Sequence, residues 1–453
     1  MKKKEKFQGP VLQSAGLTAG LTAGLFCLLL SCAGSPDAYA KIDAGVQSGS
    51  YENALASLQD EEGPARKTVY TAKNQILFYL DRGMISHYAE LYDDSSQDLQ
   101  TAEQLMEDAF TKSISQAIGS YLVNDNVKDY SGEDYEDLYI NVFNSLNYYH
   151  RGDLEGSLVE IRRLNEKLNY FADKYEKAKS KVLETNQQID PAQLPMEASS
   201  FSNSALARYL GVLFYRGTGR PDSARVDYEE LGRAYSLAPA VYANTVPSSV
   251  QDELSVPDGM GRLNVIAFTG LSPIKVPETI YIPLPFPPPN NAARISLPKM
   301  ITRPQTIQRV EAVLDTGERF NLELIEDMGA VARETFKSSY GLTVLKTVAR
   351  TITKTATSAA LSVVASDNKK GTDGLGSLIG FLGRVYTEVS EQADTRLSRY
   401  FPSNALVGGI NVAPGEYNVT VNFYGNGGLV FSEQKEMTVR ENTLNLEEFV
   451  CLR

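Results

Sequence analysis

ILFYLDRGMISHYAELYDDSSQDLQTAEQLM, residues 76–106, has the pattern of two amphipathic helices joined by a short polar break. Its apolar residues recur every three or four positions, which is the spacing of one face of an α-helix. Three small residues, Gly83, Ser95 and Ala102, fall where paired helices must approach each other closely. The stretch therefore predicts an antiparallel helical hairpin.

Two fainter copies of this pattern follow along the chain. One turns at Gly152–Ser157, and the other spans Ala205–Pro239. Stacked helical hairpins with small and aromatic contact positions are typical of tetratricopeptide-like (TPR-like) repeats, although the spacing between these copies is not constant. We predict a TPR-like α-helical hairpin domain over residues 51–246.

The composition changes at Pro247–Pro257, where we expect a domain boundary. Beyond it, apolar and polar residues alternate at 263–267 and 417–423, as they do in half-buried strands. Residues 328–364 have the period of a long amphipathic helix, with a break expected near Gly341. The predicted fold class is α+β, in which the helical domain precedes a domain over 259–453 with β-hairpins, a β-sandwich-like sheet and the long helix.

The beginning of the chain has the pattern of an export signal. Four lysines precede an apolar run, Gly16–Leu30, which is too short and too rich in glycine for a convincing membrane-spanning helix. Leu29 and Ser31 precede Cys32 at the spacing found in bacterial lipoprotein signals. We therefore predict a lipoprotein signal peptide over 1–31 and lipidation of Cys32. An ordinary secretory signal or an uncleaved anchor would explain the same run.

Residues 32–50 are small, polar and weakly patterned, which predicts a flexible tether. Ala33, rather than aspartate, follows Cys32. By resemblance to lipoprotein sorting in double-membraned bacteria, this favours delivery to the outer membrane. We expect an exported protein that is held at that membrane by acyl chains and faces the periplasm.

The charge and the rare residues exclude several classes of site. A formal net charge of −12 argues against a nucleic-acid partner, because phosphate binding needs a basic surface. Cys27 leaves with the signal, so Cys451 would be the one free thiol, and we expect it to be buried. Two histidines, His87 and His150, cannot by themselves form a usual zinc site, and we expect both to have packing roles. No cofactor or metal is predicted.

One triplet suggests a catalytic alternative. Asp315-Thr316-Gly317 follows an apolar strand, as in the aspartic proteases, where two carboxylates share a proton. That chemistry needs two such triplets, and this chain has one, so only a symmetric dimer would serve. A hairpin turn explains the same residues and is favoured, since Asp and Gly suit turn positions.

Several other stretches suggest a functional site but are also explained by ordinary structural roles. Ser131–Asp134 fits a helix-capping box, and Asp93–Asp98 lacks the glycine and the glutamate of a calcium loop. Pro283–Pro289 is either a proline-rich recognition segment or, more commonly, a stiff loop at the edge of a sheet. Gly376 and Gly380 favour close packing of a helix. Lys346, Arg350 and Lys354 form a basic stripe for anionic headgroups or, more commonly, a solvated flank.

Several motifs resemble a family of exported bacterial lipoproteins that has a TPR-like N-terminal half and no agreed activity. The stretches that carry this resemblance are Leu80-Asp81-Arg82-Gly83, His87-Tyr88, Thr111–Ser115, Gly119–Asn126, Gly132-Glu133-Asp134, Leu146-Asn147-Tyr148, Gly152–Glu155, Glu391–Arg396 and Pro414–Tyr417. After Arg396 this chain has Leu397-Ser398-Arg399 where the family typically has a tryptophan. The resemblance implies export and architecture, and it transfers no catalytic residue.

The sequence therefore predicts a membrane-anchored, non-catalytic scaffold in the cell envelope. Its stacked helices would offer a concave surface to a protein or peptide partner. Two alternatives remain open. One is a cell-wall-modifying hydrolase, with Asp315 as its most specific candidate, and the other is a small-molecule carrier with a pocket between the two halves.

Overall fold

The computed structural model describes residues 36–115, 128–283, 292–367 and 392–453. Cys32 and the predicted signal peptide lie outside the described residues, as do Gly376, Gly380 and all but the first residue of Pro283–Pro289. Within the described ranges, no helix combines the length and the apolar character that crossing a membrane requires.

The helical half is built from pairs of antiparallel helices, as the periodicity predicts. Its helices are α1 (Pro36–Ser48), α2 (Tyr51–Gln59), α3 (Pro64–Thr68), α4 (Gln75–Tyr88), α5 (Tyr92–Ser115), α6 (Asp134–His150), α7 (Leu154–Thr185), α8 (Ala205–Gly217) and α9 (Pro221–Leu237). The pairs are α4 with α5, α6 with α7, and α8 with α9. A Cβ atom at Gly83 would lie 2.9 Å from the Leu99 side chain, so the predicted close approach of α4 and α5 is confirmed.

These pairs form two layers. The inner helices α4, α6 and α8 are almost entirely buried, whereas the outer helices α5, α7 and α9 keep one face in solvent. The inner layer packs directly on the sheet, where the ring of Phe143 lies 5.0 Å from that of Phe268 on β1. It lies 6.1 Å from the ring of Phe401, which directly precedes the strand that begins at Pro402. The inner face, which we expected to be open to a partner, is therefore covered by the protein itself.

The strands are β1 (Gly261–Leu271), β2 (Ile274–Pro283), β3 (Ala292–Ile301), β4 (Arg309–Leu314), β5 (Arg319–Asp327), β6 (Pro402–Val412), β7 (Gly415–Gly425), β8 (Gly428–Val439) and β9 (Asn445–Cys451). Seven of them form one sheet in the order β8-β7-β4-β5-β6-β1-β9, while β2 and β3 form a separate ribbon. Among the strands that the structure describes, all pairings are antiparallel except that of β1 with β9. The α+β class is thus confirmed.

The sheet is not the expected β-sandwich-like pair of layers. Its two edge strands approach each other, and Lys435 on β8 lies 3.3 Å from Glu447 on β9. Long strands twist, and the accumulated twist curls a single sheet towards closure. The concave side encloses its own apolar cluster, which includes Val265, Val421 and Phe449.

The predicted boundary at 247–257 separates the paired helices from the first strand, but it does not separate two cores. One continuous hydrophobic core extends from Ala38 in α1 to Leu452 beside β9. Each half therefore depends on the other for burial of its apolar surface.

The long helix α10 (Met328–Asp367) is continuous, so the break expected near Gly341 is wrong. A Cβ atom there would lie 3.5 Å from Lys179 on α7, which is ordinary contact, and the glycine is accommodated within the helix. Together with the end of α7 and the β2–β3 ribbon, α10 encloses a third, smaller apolar cluster.

The flexible tether predicted over 32–50 is also wrong, because most of this stretch forms helix α1. Ala38, Tyr39, Ile42 and Val46 are buried in the main core. They recur at helical spacing, but the small residues between them make the period faint in the sequence. Gly45 permits the close contact with α2, since a Cβ atom there would lie 2.9 Å from Ala54.

Candidate functional site

The carboxylates buried between the inner helices and the sheet include Asp81 on α4, Glu136 on α6, Glu326 on β5 and Glu448 on β9. We call these four groups and the side chains bonded to them the seam. Buried carboxylates are rare unless they are paired or hydrogen-bonded, and they mark either functional sites or architectural junctions. Their partners decide between these two roles.

Two of the four hold an extended stretch of the chain, residues 392–401, which we call the return segment because it leads back into β6. Asp81 Oδ1 accepts from Ser398 Oγ at 2.6 Å and from the Arg399 N–H at 2.9 Å. Glu136 Oε1 accepts from the Ser398 N–H at 2.7 Å, and the Tyr88 hydroxyl donates to the Tyr400 carbonyl at 2.7 Å. The inner helices thus recognise the backbone of this segment.

Each of these carboxylates also accepts from other neutral donors. Tyr70 donates its hydroxyl to Asp81 at 2.8 Å, and Tyr130 and the Glu133 N–H each donate to Glu136 at 2.7 Å. Burial raises the pKa of Asp81 to about 6 and that of Glu136 to about 7, although these hydrogen bonds oppose the rise. Desolvation therefore dominates where no cation meets the carboxylate.

The return segment is also fastened at its flanks. The Arg399 guanidinium pairs with Asp43 on α1 at 2.6 Å, and the Tyr400 hydroxyl donates to the same carboxylate at 2.9 Å. Arg396 pairs with Asp394 at 2.7 Å and donates to the Lys128 carbonyl at 2.9 Å. The motif ending at Arg396 therefore has a structural role here.

Glu326 is held entirely by neutral donors. It accepts from the hydroxyls of Tyr139 at 2.8 Å, Tyr242 at 2.5 Å and Ser204 at 2.9 Å, and from the Leu206 N–H at 3.3 Å. The register of β5 against β6 shifts next to this residue, and such a bulge re-aims a side chain. Burial raises the pKa of Glu326, as it does for Asp81 and Glu136.

Glu448 differs from the other three because both histidines of the chain meet it. His87 Nε2 lies 2.7 Å from Oε1, and His150 Nε2 lies 3.3 Å from Oε2. Tyr92 stacks on the His150 ring at 4.4 Å. Burial alone would raise the pKa of Glu448, but the two imidazoles outweigh it and hold that pKa well below its usual range.

The remaining candidates from the sequence lie elsewhere. Asp315 is exposed in the turn between β4 and β5, where Asn418 donates to it at 2.9 Å and lowers its pKa. The predicted turn is confirmed. The predicted capping box at Ser131 is wrong: α6 begins at Asp134, and Glu136 accepts from the Glu133 N–H instead.

Three further stretches have defined surroundings. Residues 93–98 belong to the first turns of α5, and Asp98 pairs with Arg82 at 2.5 Å. Arg350 is buried, so the predicted basic stripe on α10 is not one continuous exposed surface. Cys451 is buried, as expected, and burial raises the pKa of its thiol to about 11.

Two observations bear on ligands. Among the described residues, no group of three or more His, Cys, Asp or Glu side chains is placed to hold a metal ion. A cavity of about 250 Å³ lies among α1, α2 and α3, lined by residues that include Ile42, Ala56 and Ala65. It belongs to the helical half, whereas the carrier hypothesis placed its pocket between the halves.

Comparison of the chain with protein-family models, with curated proteins and with solved structures finds no match. The resemblance to exported lipoproteins stays a prediction.

Proposed function

We propose that this protein is a bacterial lipoprotein, anchored through acyl chains on Cys32, that acts as a non-catalytic interaction scaffold in the cell envelope. In this proposal the body faces the periplasm from the outer membrane. The observation that carries the non-catalytic role is the seam, because its carboxylates are bonded to the chain's own backbone, hydroxyls and imidazoles.

The partners of the seam support an architectural role. A general acid or base must exchange a proton with a substrate within hydrogen-bond reach. Asp81, Glu136 and Glu326 instead accept at least three hydrogen bonds each from protein donors. Three such junctions, between the helices and either the return segment or the sheet, suit a rigid platform that presents surfaces to partners.

The start of α1 supports close attachment to the bilayer. Its first residue, Pro36, lies four residues after Cys32, and its apolar side chains are part of the main core. At about 3.5 Å per extended residue, this connection spans at most ~14 Å. An acylated Cys32 would hold the folded body directly beside the headgroups, without a long spacer.

A partner would bind the outer helices. The helical pairs support a TPR-like array, but its inner face is covered by the sheet. On α7, Val159 and Tyr170 are about half exposed, and on α9 the same holds for Val226 and Leu237. Each pair is separated by three helical turns and therefore shares one face of its helix. These positions suit contact with a protein surface.

The anchor and the scaffold are tested separately. Palmitate labelling of wild type and of Cys32→Ser tests the anchor: we expect label in the membrane-bound wild type and none in the variant. Equal labelling of both would overturn it. For the scaffold, a photo-cross-linking amino acid replaces Val159 or Val226 in living cells. The matched control is Leu429 on β8, which is equally exposed but lies on the sheet.

We expect discrete cross-linked species from the two helical positions and not from the control. Replacing the neighbouring apolar residue, Tyr170 or Leu237, by glutamate should abolish them. Cross-links that are absent from both helices, or that are the same at Leu429, would contradict a partner on this surface.

A further inference from the structure

We infer that His87 is held as an imidazolium in the folded protein and forms a charge-dependent latch between the helical layer and the C-terminal strand β9. The inference goes beyond the proposed scaffold and does not depend on it. It starts from the surroundings of the two nitrogens of the His87 ring.

Both ring nitrogens face acceptors. Nε2 lies 2.7 Å from the Glu448 carboxylate, and Nδ1 lies 2.7 Å from Asn147 Oδ1. The Asn147 amide is oriented by its other end, since Nδ2 donates to Ser95 Oγ at 2.9 Å. A neutral imidazole carries one N–H, whereas an imidazolium carries two. Two acceptors at hydrogen-bond distance are therefore matched by the charged ring.

The burial of Glu448 also calls for a cation. Its side chain is 6% exposed, and a buried carboxylate is very costly without a charged or hydrogen-bonded partner. The nearby Lys435 pairs with Glu90 at 3.0 Å and with Glu447 at 3.3 Å rather than with Glu448. Of the groups able to carry positive charge that contact Glu448, the His87 imidazole lies nearest to its carboxylate.

Titratable groups surround the pair on every side. They are Tyr51 on α2, Tyr88 on α4, Glu90 in the α4–α5 turn, Tyr92 on α5, His150 on α6, Glu433 and Lys435 on β8, and Glu447 on β9. Burial alone would lower the pKa of His87, but Glu448 and the Asn147 amide together outweigh burial and raise it above the ordinary value of 6.5. Lys435 acts in the opposite direction, and its own carboxylate partners limit that effect.

The latch secures the last strand of the sheet. Strand β9 pairs in parallel with β1 through residues 445–451, and the Tyr149 hydroxyl bonds both the amide and the carbonyl of Leu446. When His87 loses its second proton, Glu448 loses its nearest positive partner inside the seam. The strand should then open more readily in alkaline than in mildly acidic solution.

The test uses the full chain in detergent with ¹³C- and ¹⁵N-labelled histidine. With two histidines in the sequence, His150→Gln assigns both rings. We expect both nitrogens of His87 to be protonated at pH 7, with a titration midpoint above 6.5 that moves to lower pH in Glu448→Gln. A neutral ring with its single proton on Nε2 would overturn the inference. That state requires the Asn147 amide to donate to Nδ1.

Hydrogen–deuterium exchange tests whether the latch holds strand β9 in place. After correction for intrinsic base catalysis, exchange of the β9 amides should rise more than exchange of the β7 amides as pH passes the His87 midpoint. This excess should be lost in Glu448→Gln. Equal rises at β9 and β7 in wild type would contradict the latch, and this measurement needs no variant.

Discussion

Asp81 and Glu136, which together form a clasp on the return segment, and Glu448 are all buried carboxylates, yet the pKa values of the clasp and of Glu448 move in opposite directions. Asp81 and Glu136 meet neutral donors, and burial raises their pKa values. Glu448 meets two imidazoles, and its pKa is lowered. At these three carboxylates the direction of the pKa shift follows the charge of the partner, because neutral donors do not offset desolvation whereas two imidazoles do.

The largest expected effect comes from breaking the cationic site. His87→Ala should lower the free energy of unfolding by about 3–5 kcal/mol, because it leaves Glu448 buried with its main partner removed. Urea unfolding measures the loss. Adding Glu448→Gln to this variant should restore part of the stability by removing the unpaired charge. A double variant as unstable as His87→Ala would contradict the pairing.

The neutral-donor site predicts a pH dependence. Glu136 has a pKa of about 7 in the folded protein against 4.5 for the unfolded chain, so the folded state binds the proton more tightly. Its contribution to stability is full below about pH 4.5 and is lost as pH rises through 7. Each pKa unit is worth about 1.36 kcal/mol, which gives about 3 kcal/mol. Between pH 5 and 8, Glu136→Gln should reduce the fall in unfolding free energy by about that amount, and an unchanged fall would contradict the shift.

Removing the charge from the clasp should cost less. Asp81→Asn removes a desolvated charge, but the amide cannot accept from all the donors that bond the carboxylate. We therefore expect the free energy of unfolding to fall by about 1–2 kcal/mol. The return segment should also open more often. Limited trypsin digestion would then release fragments that begin at Leu397 or Tyr400, after the arginines that precede them. Equal protection of wild type and variant would mean that Asp81 does not hold the segment.

The smallest effect is expected at an exposed carboxylate. Asp315→Asn alters a turn residue that lies outside the core, so the thermal midpoint should not change measurably. The same variant tests the hydrolase alternative. Loss of wall-related function in cells that contain a stably folded Asp315→Asn protein would favour catalysis over a scaffold.

Local patterns predicted much of the secondary structure. Helical periods and small contact residues such as Gly83 identified the paired helices, and alternation identified β7 and part of β1. Helix α1 was not predicted, because the small residues between its apolar positions make the helical period faint. The near closure of the sheet was not predicted either, since the pairing of distant edge strands leaves no local pattern in the sequence.

The seam could not be predicted because its contacts join distant parts of the chain. Ser398 lies 317 positions from Asp81, and Glu448 lies 361 positions from His87. The sequence identified both histidines as packing residues, but their shared carboxylate depends on how β9 folds back on the helices. An unusual abundance of tyrosine, 25 residues in the chain, was the available signal, because several of these hydroxyls donate to the buried carboxylates.

The central claim is that inner helices, return segment and sheet form one cooperative body whose buried carboxylates serve architecture. Native-state hydrogen exchange of the membrane-bound full chain tests this most directly. The account predicts that, below the His87 midpoint, the Ser398 and Arg399 amides, the β9 amides and the core amides of α6 exchange with the same, global free energy of opening. Exchange of the return segment at a much lower free energy than α6 would contradict it, because the inner face would then be open to other ligands.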